Sequence, residues 1–201
     1  MKQLSLIMIG LLIMNGCSKE KEEEVAVIST RFGDMIMEFY PDDAPKHVES
    51  FILHAKNGYY NGTTFHRVIP GFVIQGGDPN SKDDDRMNDG MGGNAAKFYG
   101  YGDEGDTSTW MLPAEFNSRP HVTGALSMAR AQDLNSAGSQ FFICAAPVHQ
   151  LDNQYTVFGG VISGLDIIDK IVNVQRDRRD NPNEKVEMTI KILTRSEAFP
   201  K

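Results

Sequence analysis

From residue 25 onward the chain reads as short runs of alternating apolar and polar positions. "VAVIST" and "MIMEFY" alternate on either side of "RFGD", which has turn composition, and together they predict a β-hairpin. The period then changes in "PDDAPKHVESFILHAKNGYY". Val48, Phe51, Ile52 and Ala55 recur at i, i+3, i+4 and i+7, the spacing of one helix face. Asp42 or Asp43 can cap this helix, Pro45 suits its first turn, and Asn57-Gly58 ends it. "TTFHRVI" and "FVIQGG" are short strands about the turn Pro70-Gly71, and "GALSMAR", "QFFICAA" and "TVFGGVI" are three further β-like runs. "GLDIIDKIVNV" is a second amphipathic helix. Val186, Met188, Ile190 and Ile192 alternate through a final strand. Many short strands with two helices predict a mainly β domain, a closed antiparallel barrel with a helix over each open end. Residues 79–119 are Gly- and Asp-rich with little periodicity, and a loop of that length in a compact domain is functional or mobile.

The N-terminus follows a different pattern. A basic start is followed by an apolar run at residues 4–14 and then Asn15-Gly16-Cys17. This is the composition of a secretory signal, and the run is short for a membrane span. The cut site resembles that of bacterial lipoproteins, in which the cysteine after the cleavage point is acylated. Met14 departs from that pattern, since Leu is usual there. The expectation is a signal peptide at 1–16, then acylated Cys17 and a charged tether over 17–24, whose "SKEKEEE" cannot pack into a core. An uncleaved anchor or a buried N-terminal strand is the competing reading. The resulting protein would be a lipoprotein of the cell envelope, facing the periplasm or the cell surface.

Composition narrows the partners. Of the 201 residues, 40% are hydrophobic and 23% charged, which fits one globular domain rather than two. A net charge of −7 argues against nucleic acid, because no basic surplus exists to neutralise phosphates. Cys17 and Cys144 are the only cysteines, so acylation of the first leaves Cys144 unpaired. Within "FFICAA" it reads as a buried, inert thiol.

No metal site is legible. His47 and His54 share a helix face seven residues apart, but no third ligand is in register, and the five histidines read as structural. The "DDD" of the long loop fits no calcium loop. There is no Gly-x-Ser-x-Gly, and the glycine-rich stretches lack the Lys and Ser/Thr of a phosphate loop. What remains is polar groups on apolar strands: Arg67, Gln75 and Gln140, each beside phenylalanines. Burying such groups is costly unless they are hydrogen-bonded. Any one of them could be paired inside a core. Three together favour a shared surface for an uncharged, partly apolar ligand with peptide-like hydrogen bonds.

"FHRVIPGFVIQGGD", "GALSMARAQDLNSAGSQFFI" and "LDNQYTVFGGV" closely resemble the cyclophilins, the peptidyl-prolyl cis–trans isomerases, and the resemblance spans residues 25–195. It implies an eight-stranded antiparallel barrel capped by two helices, with an isomerase domain over 25–197. It also implies acceleration of X-Pro rotation in folding proteins without a cofactor; together with the N-terminal signal, the expectation is a monomer acting outside the cytoplasm. On this resemblance Arg67 is the catalytic arginine. Phe72, Phe142 and Leu151 form the proline pocket, with Val73 where Met is common. Gln75, the backbone around Ala129 and Arg130, and Gln140 in the same groove hold the substrate chain. Arg130 stands where Asn is frequent, and main-chain contacts there make the change tolerable. Two departures matter: many eukaryotic members carry Trp at the position of Gln150 and His at that of Tyr155. Tyr155 still offers a donor, but Gln150 removes an aromatic wall, which implies weak binding of cyclosporin-type inhibitors. A peptide-binding or chaperone module on the same fold is the alternative function.

Overall fold

The computed structural model of the protein describes residues 22–200. The expected signal peptide at 1–16, Cys17 and residues 18–21 of the expected tether lie outside the described residues. Among the described residues the chain runs β1 (Glu24–Thr30), β2 (Gly33–Phe39), α1 (Pro45–Lys56), β3 (Arg67–Val68), β4 (Val73–Gly76) and β5 (Ala125–Met128). It continues through β6 (Phe141–Cys144), β7 (Val157–Ser163), α2 (Leu165–Val172), β8 (Thr189–Thr194) and α3 (Arg195–Ala198). The strands form one antiparallel sheet in the order β3-β4-β6-β5-β7-β2-β1-β8. Every run read as a strand, and both amphipathic helices, are present.

The expected closed, two-helix barrel needs two corrections. First, the ladder is open, with β3 and β8 as its edges. An isolated bridge from Thr64 to Glu187 spans the seam, helped by Phe65 N–H donating to Val186 O at 3.0 Å. The segments that meet there lie just outside β3 and β8. With β3 only two residues long, no continuous ladder forms across them. Second, α3 follows β8. Thr194 and Glu197 make a reciprocal capping box, with Glu197 N–H to Thr194 Oγ1 at 3.3 Å and Thr194 N–H to Glu197 Oε2 at 2.9 Å. The sequence carries that T-x-x-E signal, but no apolar period accompanies it in so short a helix.

The curled sheet encloses the main core. Ile28, Met35, Met37, Ile74, Leu126 and Phe158 are fully buried there, and each such side chain stabilises the fold by about 1.5–3 kcal/mol. Helix α1 inserts Phe51 among Phe39, Tyr60, Phe141 and Phe158, with ring centroids 5.1–5.7 Å apart. The N-terminus of α1 is not capped by Asp42 or Asp43. Ala44 holds the cap position without a side-chain bond. Glu115, from the long loop, accepts the N–H groups of Lys46 (3.0 Å) and His47 (3.1 Å) and meets His47 Nδ1 at 2.7 Å. Asp43 pairs instead with Arg119 Nε at 2.6 Å. The far end of the long loop is thereby fixed to the helix.

Candidate active site

Strand register builds the site. Arg67 lies opposite Gln75, Gln75 opposite Phe142, and Phe142 opposite Ser127. Cross-strand partners project from the same face, so Arg67, Gln75 and Phe142 form one row across β3, β4 and β6. Their sequence neighbours Ile74, Phe141 and Ile143 point the other way, into the main core. On the row's side lies a second, smaller apolar cluster, in which Val73, Phe142 and Cys144 support Phe72, Leu151 and Tyr155. The turn that brings Phe72 across has Pro70 followed by Gly71 at φ 71°, the type II pattern, closed by Phe72 N–H to Ile69 O at 3.0 Å.

A groove of about 340 Å³ runs over this cluster. Phe72, Val73, Phe142 and Leu151 form its apolar floor, Arg67 and Gln75 one side, and Ala129, Arg130 and Tyr155 the other. Gln140 is the one residue expected in the groove that does not line it. It stands behind Gln75, on an adjoining cavity. Its role is visible in the hydrogen bonds. Arg67 Nη1 donates to Gln75 Oε1 (3.2 Å), and Gln75 Nε2 donates to Gln140 Oε1 (3.0 Å). Gln140 Nε2 in turn donates to the carbonyls of Gly90 (3.0 Å) and Gly92 (2.8 Å). This relay ties the guanidinium to the long loop. Arg67 also lies 6.0 Å from the Phe72 ring centroid. Across the groove the Arg130 guanidinium stacks 4.5 Å over Tyr155, which meets Phe142 edge-on at 5.8 Å. Gln150 is exposed and does not line the groove, and Trp110 packs against Phe98, outside it.

Three supports carried no periodic signal. Asp78, the last residue of "FHRVIPGFVIQGGD", is fully buried. Its carboxylate accepts the N–H groups of Asn80 (2.9 Å), Gly90 and Gly92 (3.3 Å), and so presents the carbonyls that hold Gln140. Gly77, at φ 85°, lets the chain pass so close to β6 that a Cβ would sit 2.7 Å from Ser139 O. His121 is fully buried and stacks on Phe142 at 5.9 Å. Its Nδ1 meets Asp152 Oδ1 at 2.9 Å and its Nε2 meets Ser127 Oγ at 3.0 Å. The order Ser, His, Asp suggests a hydrolase, but Ser127 is fully buried and donates to Thr156 O at 3.0 Å. The network braces the wall behind the groove instead. Those contacts depress the Asp152 carboxyl to about 2, chiefly through hydrogen bonds from the His121 backbone and ring. Cys144 is buried, and burial pushes its thiol up to about 12, which keeps it inert.

These features define a class: a curled antiparallel β protein whose outer face carries a tethered arginine beside an apolar, ring-sized pocket. The chain belongs to the cyclophilin-type peptidyl-prolyl cis-trans isomerases; the family model described as "Cyclophilin type peptidyl-prolyl cis-trans isomerase/CLD" matches residues 25–192. A probable peptidyl-prolyl cis-trans isomerase of Brucella abortus is 39% identical over 176 residues, covering 86% of this chain and 85% of that protein. The human peptidylprolyl isomerase domain and WD repeat-containing protein 1 is 39% identical over 170 residues. That match covers 84% of this chain and 24% of the human protein, so the chain spans about a quarter of that relative's length. Among solved structures, a cyclophilin-type isomerase of Cryptosporidium parvum, crystallised in the presence of the dipeptide Ala-Pro, matches with a TM-score of 0.72 at 31% identity. The match covers 86% of this chain and 99% of that one.

Proposed function

We propose that the protein is a peptidyl-prolyl cis–trans isomerase acting on X-Pro bonds of polypeptides. The observation that carries this reading is the Arg67 guanidinium, held by Gln75 beside the Phe72–Phe142 pocket. Rotation about a peptide bond meets a barrier of roughly 18–20 kcal/mol, because resonance gives the C–N bond double-bond character. In the twisted transition state that resonance is lost, and the prolyl nitrogen becomes pyramidal and more basic. An N–H of Arg67 aimed at that nitrogen binds the twisted state better than the planar one, which is the requirement for catalysis. The floor of Phe72, Phe142 and Leu151 holds the ring while the preceding carbonyl turns. No covalent bond is made or broken, so neither nucleophile nor cofactor enters the step. The Cryptosporidium parvum cyclophilin-type isomerase, crystallised in the presence of the dipeptide Ala-Pro, supports a proline-containing ligand for this groove.

The competing reading is a peptide-binding or chaperone module with little turnover. A positioned guanidinium without a carboxylate partner among the described residues favours the enzyme, since simple binding of an uncharged peptide needs no such group. NMR exchange spectroscopy on an X-Pro peptide separates the two. Acceleration of cis–trans exchange by the full chain is expected. Peptide binding with no acceleration would establish the binding module. The basic start, the apolar run at 4–14 and Cys17 support an envelope lipoprotein tethered at its N-terminus. Acyl chains on Cys17 would anchor it stably. Mass spectrometry of the mature N-terminus tests this, and an unmodified residue 17 would refute it.

A further inference from the structure

The groove does not end at the proline pocket. Beyond Arg67 it continues past His66 to Arg86 and Asp89 of the long loop, and to Arg179 and Asn181 between α2 and β8. Four guanidiniums (Arg67, Arg86, Arg130 and Arg179) line the whole groove against one carboxylate, Asp89. The chain as a whole carries −7, so this concentration of positive charge runs against its average.

Local contacts to backbone carbonyls orient these cations. Arg86 donates to the carbonyls of Pro182 (2.5 Å) and Asn183 (3.4 Å), and Arg179 donates to Arg86 O (2.6 Å). Arg130 donates to the carbonyls of Ala131 (2.9 Å) and Gln154 (3.0 Å). The nearby carboxylates accept their hydrogen bonds from other donors, and Asp177 also attracts Arg179 and Arg86 through space, which leaves the guanidiniums in net excess along the groove wall. Asp89 accepts Asn181 Nδ2 (2.6 Å), and Asp177 accepts the backbone N–H groups of Arg179 (2.8 Å) and Asn181 (3.0 Å). In the "DDD" run, Asp83 and Asp85 accept N–H groups of their own loop, and Asp84 pairs with Lys185. His66 lies against this stretch of the groove, buried, with neither ring nitrogen reaching a hydrogen-bond partner.

We propose that Arg86 and Arg179 form a cationic subsite beside the proline pocket that takes a carboxylate side chain flanking the X-Pro unit. Acidic prolyl segments are then the preferred substrates. The inference rests on the isomerase reading and adds a charge preference to it. Each guanidinium is partly solvated, so each contributes a few-fold in kcat/KM rather than orders of magnitude.

The test uses the full chain and peptides identical except for one residue next to the X-Pro unit, which is Glu, Gln or Lys. Both the preceding and the following position are tried, and kcat/KM is read by NMR exchange. Glu is expected to exceed Gln by roughly fivefold at low ionic strength in at least one position, with Lys below Gln. The preference should collapse near 1 M salt, where the screening length is about 3 Å. In the double variant Arg86→Gln/Arg179→Gln the Glu-to-Gln ratio should approach one, whatever the common rate. Equal kcat/KM for the three peptides in the unmodified protein, or a ratio that survives in the double variant or in high salt, overturns the subsite. If the double variant does not fold, the salt series on the unmodified protein decides. Absence of turnover on all three peptides would instead sink the isomerase reading. Titration with the Glu and Lys peptides then judges the subsite by itself: tighter Glu binding supports it and equal binding overturns it.

Discussion

Arg67 acts through where it is held. One hydrogen bond to Gln75 and the face of Phe72 fix its head, and Gln75 is itself fixed by Gln140. Arg67→Ala should therefore lower kcat/KM by about 10²–10³, the usual effect of removing one preorganised donor. The unfolding midpoint should barely move, because the side chain is only half-buried. Arg67→Lys should rescue little, since an ammonium lacks the planar fork that reaches Gln75 and the prolyl nitrogen together. Turnover of Arg67→Ala near the unmodified level would remove the arginine from the mechanism. At Gln150 the expectation concerns inhibitors. Trp110 does not stand in for the missing wall, because it is turned away to donate to Asp103 O at 3.0 Å. Calorimetry should find only weak cyclosporin binding, strengthened by Gln150→Trp; tight binding by the unmodified chain would contradict this. Arg67 and Gln75 were legible in the sequence because polar groups on apolar strands need a reason. Arg86 and Arg179 were not. Each sits in a polar loop where an arginine is unremarkable, and their contact joins positions 93 residues apart.

Among the elements, the strands and the two amphipathic helices follow from local period, whereas what positions them comes from far along the chain. The α1 cap shows why: a local Asp was available twice, yet Glu115, 68 residues beyond His47, takes the role. No local pattern encodes that choice. The long loop has the same character. Its glycines and aspartates read as mobile or functional, but in the fold one buried carboxylate organises its first half. Asp78→Ala would leave the N–H groups of Asn80, Gly90 and Gly92 without their acceptor. Charge-assisted bonds of this kind contribute about 1.5–3 kcal/mol each, with partial recovery by water, so a loss of about 3 kcal/mol is expected. Hydrogen exchange at Gly90 and Gly92 should accelerate. KM should rise more than kcat falls, because Gln140 loses the carbonyls that hold it while Arg67 keeps Gln75. Unchanged exchange at both glycines would show that the loop is held by other contacts.

For the molecule as a whole, the buried histidines set the response to acid. Burial pushes His54, His66 and His121 below the ordinary imidazole value of 6.5, against smaller opposing pulls from Asn94, Asp78 and Asp152 respectively. The unfolded chain therefore binds more protons than the folded one between each folded value and 6.5. Stability is full above that value and declines as the pH falls through the window. Each histidine contributes a slope of at most about 1.4 kcal/mol per pH unit. The carboxylates act later and for a different reason. Asp152, depressed to about 2, and Glu115, lowered by His47 despite its burial, stabilise the fold above their unfolded values of 3.8 and 4.5. That contribution is lost as the pH falls from the unfolded values through the folded ones. Acid unfolding should thus begin with the histidines, well above the carboxylate range. Urea midpoints measured from about pH 8 to pH 5 should be level at first and fall below about 6.5. His54→Phe, which removes one buried imidazole from α1, should make the decline shallower even if the absolute midpoint drops. A midpoint that stays level down to the carboxylate range would mean that the three rings do not resist protonation when folded. The bracing of Phe142 by a neutral His121 would then need a different account.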